Sequence, residues 1–569
     1  MTHPAYVVHR QWILLWAVFI ALGWLLPNHY WPWTMFHHDA WFAAASALAA
    51  APLLWRTPGP WWIPKLGLVA GLLVGVPLLQ WAVGQIPLAG HAAMSVAYLL
   101  GFCLVLWCGA RWEAHAPGHV LDGLFLALGL AAMAAVWVQL RQWLALDEGW
   151  EWWTMGAGAV RPAANFAQPN QAATFFCLGL GAVAWGAWRG QIRWSVGLFA
   201  SAYLLFGIGL TGSRTAWLGL ALVVLAVWHW RHLWPDARTP WFVSGLFLFL
   251  IFCIGVQALL PWGQQSGAGV LATGSTRQRL ELWAICLDAV RLSPWFGYGW
   301  NQTALAGLQA LDVRTAGFPF FTSAHNLFMD LVLWCGIPLG GLLSVGILVW
   351  LARRFGAVTR PDQAILVLLV LLVFNHSMLE FPLHYAYLLL PLGWLIGAME
   401  LRLGGPATNC VKVPRAVVIA LYLSACALLG LIVADYFPIE AAYRTLKMER
   451  ANIHVEPWTA PEARVLSHLS DHLEMVRAGP VKRLSDDELL HREHVAEWLP
   501  DSYGMFYLAA AQALSERQDK ATLWMRRLCK LKSAAVCADA AVLWANAAKN
   551  HPEIAAIPWP ADTLRAARE

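Results

Sequence analysis

In the stretch GFPFFTSAHNLFMDLVLWCGIPLGGLL (317–343) an aromatic loop runs into a long apolar segment, with His325 and Asn326 at the junction. A histidine titrates near neutral pH and can take a proton from a hydroxyl. Arg214 lies in TGSRTAW (211–217), and Arg277 and Arg279 lie in GSTRQRLELW (274–283). Their guanidiniums stay charged and can hold a phosphate through paired hydrogen bonds. RPAANFAQPNQAA (161–173) adds Arg161, Gln168 and Asn170; NHSMLEFPLHYAY (375–387) adds His376, Glu380 and Tyr385. A base for a hydroxyl plus several cations for an anion is equipment for transfer from a phosphorylated donor. The segments carrying these residues hold no His-x-x-x-His, Cys-x-x-Cys or Asp-x-Asp spacing, so no metal ligation is expected there.

Each of these residues also has a plain structural reading. A single arginine at a span end can anchor in the interface. His325 can cap a helix or bond a carbonyl, Gln168-Pro169-Asn170 can be a helix start with Asn as the cap, and Glu380 can pair locally with His376. The reason to read them as a site is that four different connections supply them to one side.

That side follows from the elements. The chain has 569 residues, 59% hydrophobic, 12% charged, with 37 tryptophans. A soluble protein carries about a quarter charged residues, so the class is a polytopic membrane protein, all-α. Thirteen apolar segments of the length needed to cross lipid fall near 11–26, 40–55, 66–83, 92–110, 120–140, 171–188, 194–210, 215–230, 241–260, 327–351, 364–379, 385–401 and 415–435. Residues 1–436 carry 21 Lys/Arg and 15 Asp/Glu, whereas 437–569 carry 17 and 18 in 133 residues, the composition of a soluble domain. The predicted organisation is therefore a membrane domain, 1–436, with a long outer loop at 261–326, and a helical domain, 437–569. With the N-terminus cytoplasmic, 14 of the 21 basic residues lie inside, as basic residues usually do. The other seven, Arg141, Arg161, Arg214, Arg277, Arg279, Arg291 and Arg314, lie on the outer face with all four motifs. The tail, which holds Cys529 and Cys537, is placed on that side too. Its stretch 502–531 resembles a tetratricopeptide helix pair. No basic tract points to nucleic acid.

Across about 160–400 the motifs resemble, in order, those of the bacterial O-antigen ligase/polymerase superfamily. The nearest likeness is to its O-linking oligosaccharyltransferases (the PglL type). The segments are F-x-Q-P-N (166–170), Ser213-Arg214-Thr215, R-x-x-x-W (279–283) ahead of SPWFGYGW (293–300), AHNLFMDLVLWCGIPLG (324–340) and HSMLEFPLHYAY (376–387). Phe381 stands where Tyr is common and His384 where Trp is common. The resemblance implies a GT-C-like ligase/polymerase fold in a bacterial inner membrane, with the active site and tail in the periplasm. It implies metal-independent, inverting transfer of a preassembled glycan from undecaprenyl pyrophosphate to Ser or Thr of a periplasmic, pilin-like protein. His325, Arg214 and Arg279 would be catalytic. Gln168, Asn170, Arg161, Arg277, Asn326, His376, Glu380 and Tyr385 would bind substrate, without a cofactor. Close alternatives are an O-antigen ligase acting on lipid A-core and an O-antigen polymerase. A lipid-linked sugar transporter is remote, because transporters place such groups near the bilayer midplane.

Overall fold

The computed structural model describes residues 10–57, 59–146, 149, 153–155, 161–166, 168–259, 274–315, 317–477 and 481–560. The first nine helices are α1 (Arg10–Gly23), α2 (Phe36–Arg56), α3 (Lys65–Ala82), α4 (Ala89–His115), α5 (His119–Trp143), α6 (Pro169–Trp188), α7 (Trp194–Thr211), α8 (Arg214–His229) and α9 (Thr239–Leu259). The long connection after α9 contributes α10 (Gly274–Leu292) and α11 (Thr303–Asp312). Four helices follow: α12 (Leu327–Gly356), α13 (Pro361–Ser377), α14 (Ala386–Asn409) and α15 (Arg415–Arg450). The tail holds α16 (Ser467–Val476), α17 (Asp486–Trp498), α18 (Ser502–Leu514), α19 (Gln518–Leu531) and α20 (Ala534–Ala548).

All thirteen predicted spans are helices, because a backbone in lipid must satisfy its own hydrogen bonds. Among the described residues, α3 to α7, α9, α12, α14 and α15 are long and apolar enough to cross a membrane. α1, α8 and α13 are apolar but shorter, at 14, 16 and 17 residues. α2 has 21 residues and opens with His37, His38 and Asp39.

The chain packs as two compact units. The first comprises 1–74, 97–273 and 346–429. In it α6 lies against α5, α7 and α13. Trp16, Trp112 and Trp394 meet at ring distances of 5.8–5.9 Å and are all buried. A feature unforeseen from the sequence is a short antiparallel ladder, β1 (Trp61–Pro64) with β2 (Cys410–Val413), Trp61 facing Val413.

The second unit comprises 75–96, 274–345 and 430–569. α11, also unforeseen, packs against α10 and against α17 and α19 of the tail. The α18–α19 pair is present, and α19 buries Trp524, Met525 and Leu528. Burial of such side chains stabilises by about 1.5–3 kcal/mol each. Cys529 and Cys537 form a disulfide.

In the tail α16 begins only at Ser467, Pro461 and its neighbours being non-helical. Two expectations change. The composition boundary at 436/437 falls inside α15, since a helix can pass from apolar to polar surroundings without a backbone break. The span read over 327–351 is broken at Gly336, with φ 75° and ψ 171°. The loop 294–299 knits into the break. Tyr298 N donates to Leu333 O (2.7 Å), Gly299 N to Trp334 O (3.1 Å) and Ile337 N to Pro294 O (2.8 Å). A Cβ at Gly336 would collide with the Trp295 carbonyl, and one at Gly297 with that of Leu333. The SPWFGYGW motif is thus a brace for the segment that follows His325.

Candidate functional site

Three turns converge at one end of the first unit. Arg161 Nε donates to Thr211 O (2.6 Å), the last carbonyl of α7. Asn375 Nδ2 donates to Thr215 O in the first turn of α8 (2.9 Å). Asn170 Nδ2, in the first turn of α6, donates to Glu380 Oε1 (2.8 Å). The charges are in reach of one another. Burial lowers the Arg161 pKa, Glu380 opposes that, and Arg214 adds to it. Arg214 is the first residue of α8, exposed, just after the Ser213 cap. A cation at the positive end of a helix costs a few tenths of a kcal/mol or more. The same end with a guanidinium added is a strong receptor for an anion.

Several predicted residues take structural posts here. The helix cap is Gln168, whose Oε1 accepts from Gln171 N (2.7 Å), not Asn170; Pro169 follows at the first helical position. His376 is fully buried, its Nδ1 bonded to Thr174 Oγ1 (2.8 Å), so it backs the 375–385 turn from inside. Glu380 N donates to His376 O (2.9 Å), and the Glu380 carboxylate also reaches Asn170, 210 residues distant in sequence. Tyr385 is half-buried, its ring 5.8 Å from Phe381 and 5.4 Å from Tyr387.

The second unit holds Arg277, Arg279, His325 and Asn326. Arg277 and Arg279 occupy the first two turns of α10, exposed and half-buried respectively. Trp283 Nε1 donates to Ala324 O (2.9 Å), tying that helix to the histidine loop. His325 is half-buried and left-handed, φ 52°. That conformation costs a non-glycine residue about 1–2 kcal/mol and persists only where neighbours impose it. Asp330 imposes it. The buried carboxylate accepts from Thr303 Oγ1 (2.8 Å), Ser323 Oγ (2.8 Å) and Ala324 N (2.9 Å). Ser323 Oγ in turn accepts from His325 N (3.0 Å). Asn326 caps α12, its Oδ1 accepting from Phe328 N and Met329 N (both 3.1 Å). Asp330 was overlooked in the sequence, although an acid inside an apolar run five residues after a histidine was a signal.

The aromatic stretch 317–321 is fastened to the tail. Phe318 N donates to Lys530 O (3.0 Å), and Lys530 Nζ donates to Leu311 O (2.7 Å) and Arg314 O (2.6 Å). Arg527 clasps Asp312 through Nη2 to Oδ2 (2.8 Å) and Nε to Oδ1 (3.1 Å).

At the opposite helix ends of the first unit, a cavity of about 630 Å³ is walled by Arg189, Arg360, Arg402, Glu113 and Asp362. Its cations are matched. Arg402 reaches Glu113 and Asp362 (both 2.7 Å), Arg360 reaches Asp362 (3.0 Å), and Arg189 reaches Asp122 (2.7 Å). Balanced pairs leave little net field for a phosphate. Among the described residues no group of three or more His, Cys, Asp or Glu is placed to hold a metal, the helical His468/His472 pair included.

Residues 199–344 match the family described as O-Antigen ligase. Residues 364–532 match that described as Virulence factor membrane-bound polymerase, C-terminal. The chain is 33% identical over 527 residues to the General O-oligosaccharyltransferase of Acinetobacter baylyi, 90% of each chain being covered. It is 31% identical over 240 residues to the ComP-specific O-oligosaccharyltransferase of the same organism, covering 42% of this chain and 43% of the other.

Proposed function

This chain belongs to the O-oligosaccharyltransferases, glycosyltransferases embedded in a membrane, and from that premise we propose that it moves a preassembled glycan from undecaprenyl pyrophosphate to Ser or Thr of a periplasmic, pilin-like protein. The observation that carries the reading is the likeness over nine-tenths of both chains. In the proposed reaction the acceptor hydroxyl gives its proton to His325 as its oxygen bonds to the anomeric carbon. The bond from that carbon to the pyrophosphate breaks on the opposite face, inverting the centre. Undecaprenyl pyrophosphate leaves with the electron pair, and Arg214 and Arg279 receive its charge, with Arg277 and Arg161 assisting. A preorganised donor aimed at developing charge lowers a barrier by about 3–4 kcal/mol. Asn170, Glu380 and Tyr385 orient the donor, while Gln168, Asn326 and His376 hold the turns that carry the site residues.

The proposed setting is a bacterial inner membrane, with the N-terminus cytoplasmic and residues 437–569 periplasmic. The excess of basic residues in the inner connections supports it. So does the Cys529–Cys537 disulfide, a bond at home in an oxidising compartment. A second reading, transfer to lipid A-core or to a growing glycan, is favoured by the ligase and polymerase family matches.

Mass spectrometry of periplasmic proteins and of lipopolysaccharide, with and without this protein, separates the readings. Loss of Ser/Thr glycopeptides with unchanged lipopolysaccharide is the expected result. Intact glycopeptides with lipopolysaccharide stripped of its polymer would establish the second reading instead.

A further inference from the structure

Asp39 lies in the first turn of α2, in FHHDAWFAAA (36–45), and is 4% exposed. Its Oδ2 accepts from Tyr98 OH (2.7 Å). Its Oδ1 accepts from Ala386 N (2.7 Å) and, more weakly, from Tyr387 N (3.4 Å). Those two amides open α14, whose own cap residue, Tyr385, makes no side-chain capping bond. An unmet amide at a buried helix start is costly, and an anion there is favoured by the helix dipole. Asp39 therefore supplies, from 347 residues away, the cap that α14 lacks.

The consequence lies just upstream. The segment 380–385 leads directly into those two amides and contains Glu380, bonded to Asn170, and the half-buried Tyr385. Asn170 and Thr215 fix its near end, through Glu380 and Asn375; Asp39 fixes its far end. We infer that Asp39 is a positioning residue for glycan transfer, holding the 380–385 turn in register for the donor. This rests on the reading of that turn as donor-orienting. Tyr98 holds the carboxylate in turn.

The test uses the full chain in nanodiscs with lipid-linked glycan donor and acceptor protein, comparing Asp39→Ala, Asp39→Asn, Glu380→Gln and the double variant Asp39→Ala/Glu380→Gln. Asp39→Ala should lower kcat/KM by about tenfold or more, the scale of a small misplacement of a reacting group. Asp39→Asn keeps an oxygen acceptor and should recover most of that loss. The double variant should be no worse than the weaker single variant, since both act through one turn. Losses that multiply in the double variant would overturn the proposal. So would an Asp39→Ala enzyme that keeps wild-type kcat and KM. Amide exchange is read in parallel and needs no turnover. Asp39→Ala should speed exchange across 380–390 while leaving 502–531 unchanged, and uniform speeding would mean general destabilisation only. If the wild-type chain transfers no glycan to protein, the functional reading fails, and the exchange result still decides whether Asp39 holds the turn.

Discussion

At the scale of single residues, the sequence offered candidates for the proposed chemistry but not their supports. His325 and the arginines could be picked out because their types are out of place at the ends of apolar segments. Asp330 and Asp39 could not be assigned, since their work depends on partners that folding brings from elsewhere. Gln168 and His376 carried the same textual signal as Asn170 and Glu380, yet one is a helix cap and the other is interior. His325→Ala is expected to abolish transfer by a factor of about 10²–10⁴, the usual share of a general base, with membrane insertion and donor binding intact. Glycosylation near the normal rate at equal expression would remove His325 from catalysis. Arg214→Lys and Arg279→Lys are expected to stay impaired, because an ammonium is a point charge without a planar fork. For Arg279 kcat and kcat/KM should fall together, whereas for Arg214 the donor KM should rise as well. Full turnover by both lysine variants would refute this division of roles.

At the scale of elements, helices were readable wherever apolar runs ended in charge. The Gly336 break was not, because LVLWCGIPLGG is uniformly apolar and only the fit of the 294–299 loop reveals it. α16 carries a testable property of its own. Burial pushes His468 down to about 3, with His91 and His472 adding to the effect. Burial also pushes His472 down to about 4; Asp501 opposes and Arg450 reinforces that shift. Tyr443 OH bonds His472 Nδ1 (2.7 Å), and Trp498 lies edge-on to His468 at 4.7 Å. The unfolded segment takes up protons below about pH 6.5, whereas the folded one does so only near 3–4. Between those limits the unfolded state binds more protons, so stability falls as pH falls and is fully present above about pH 7.5. Amide exchange over 467–476, corrected for its intrinsic pH dependence, should quicken from pH 7.5 to 5.5, and His468→Phe should flatten the response. An unchanged slope in that variant would assign the sensitivity to other groups.

At the scale of the whole molecule, apolar content foretold a polytopic membrane protein, and the uneven distribution of charge underlies the proposed division into a membrane part and a polar tail with a preferred side. It could not foretell that the tail is built into the segment ahead of α12. The grip of Arg527 and Lys530 on 311–318 joins segments more than 200 residues apart, and no local pattern announces it. The tail is therefore expected to matter for turnover even where no acceptor touches it. Arg527→Gln leaves Asp312 and Glu497 without their cation, a loss of about 3–5 kcal/mol when such a pair is buried. Faster exchange across 311–325 and a lower kcat are expected, with partial recovery in Arg527→Met/Asp312→Leu. Wild-type kcat in Arg527→Gln would show that the clasp is dispensable for transfer.

The broken backbone at Gly336 has a consequence for the lipid itself. Beyond it, only Ile337–Trp350 and the two residues before Arg353 remain as uninterrupted apolar helix, and Ile337, Leu342, Val345 and Leu348 are exposed along it. Sixteen residues span about 24 Å, short of a hydrocarbon core of about 30 Å. The helix cannot lengthen outward, because its upper end is bonded to Pro294 and flanked by the exposed rings of Trp295 and Phe296. Aromatic rings of this kind settle at the headgroup boundary. α12 as a whole is long enough to cross, but its unbroken part falls short, and thinning of the nearby bilayer or snorkelling of Arg353 and Arg354 is the expected response. Reconstitution in lipids of increasing acyl length should show turnover falling on the thick side, with the histidine loop drawn towards the hydrocarbon by the anchor beneath it.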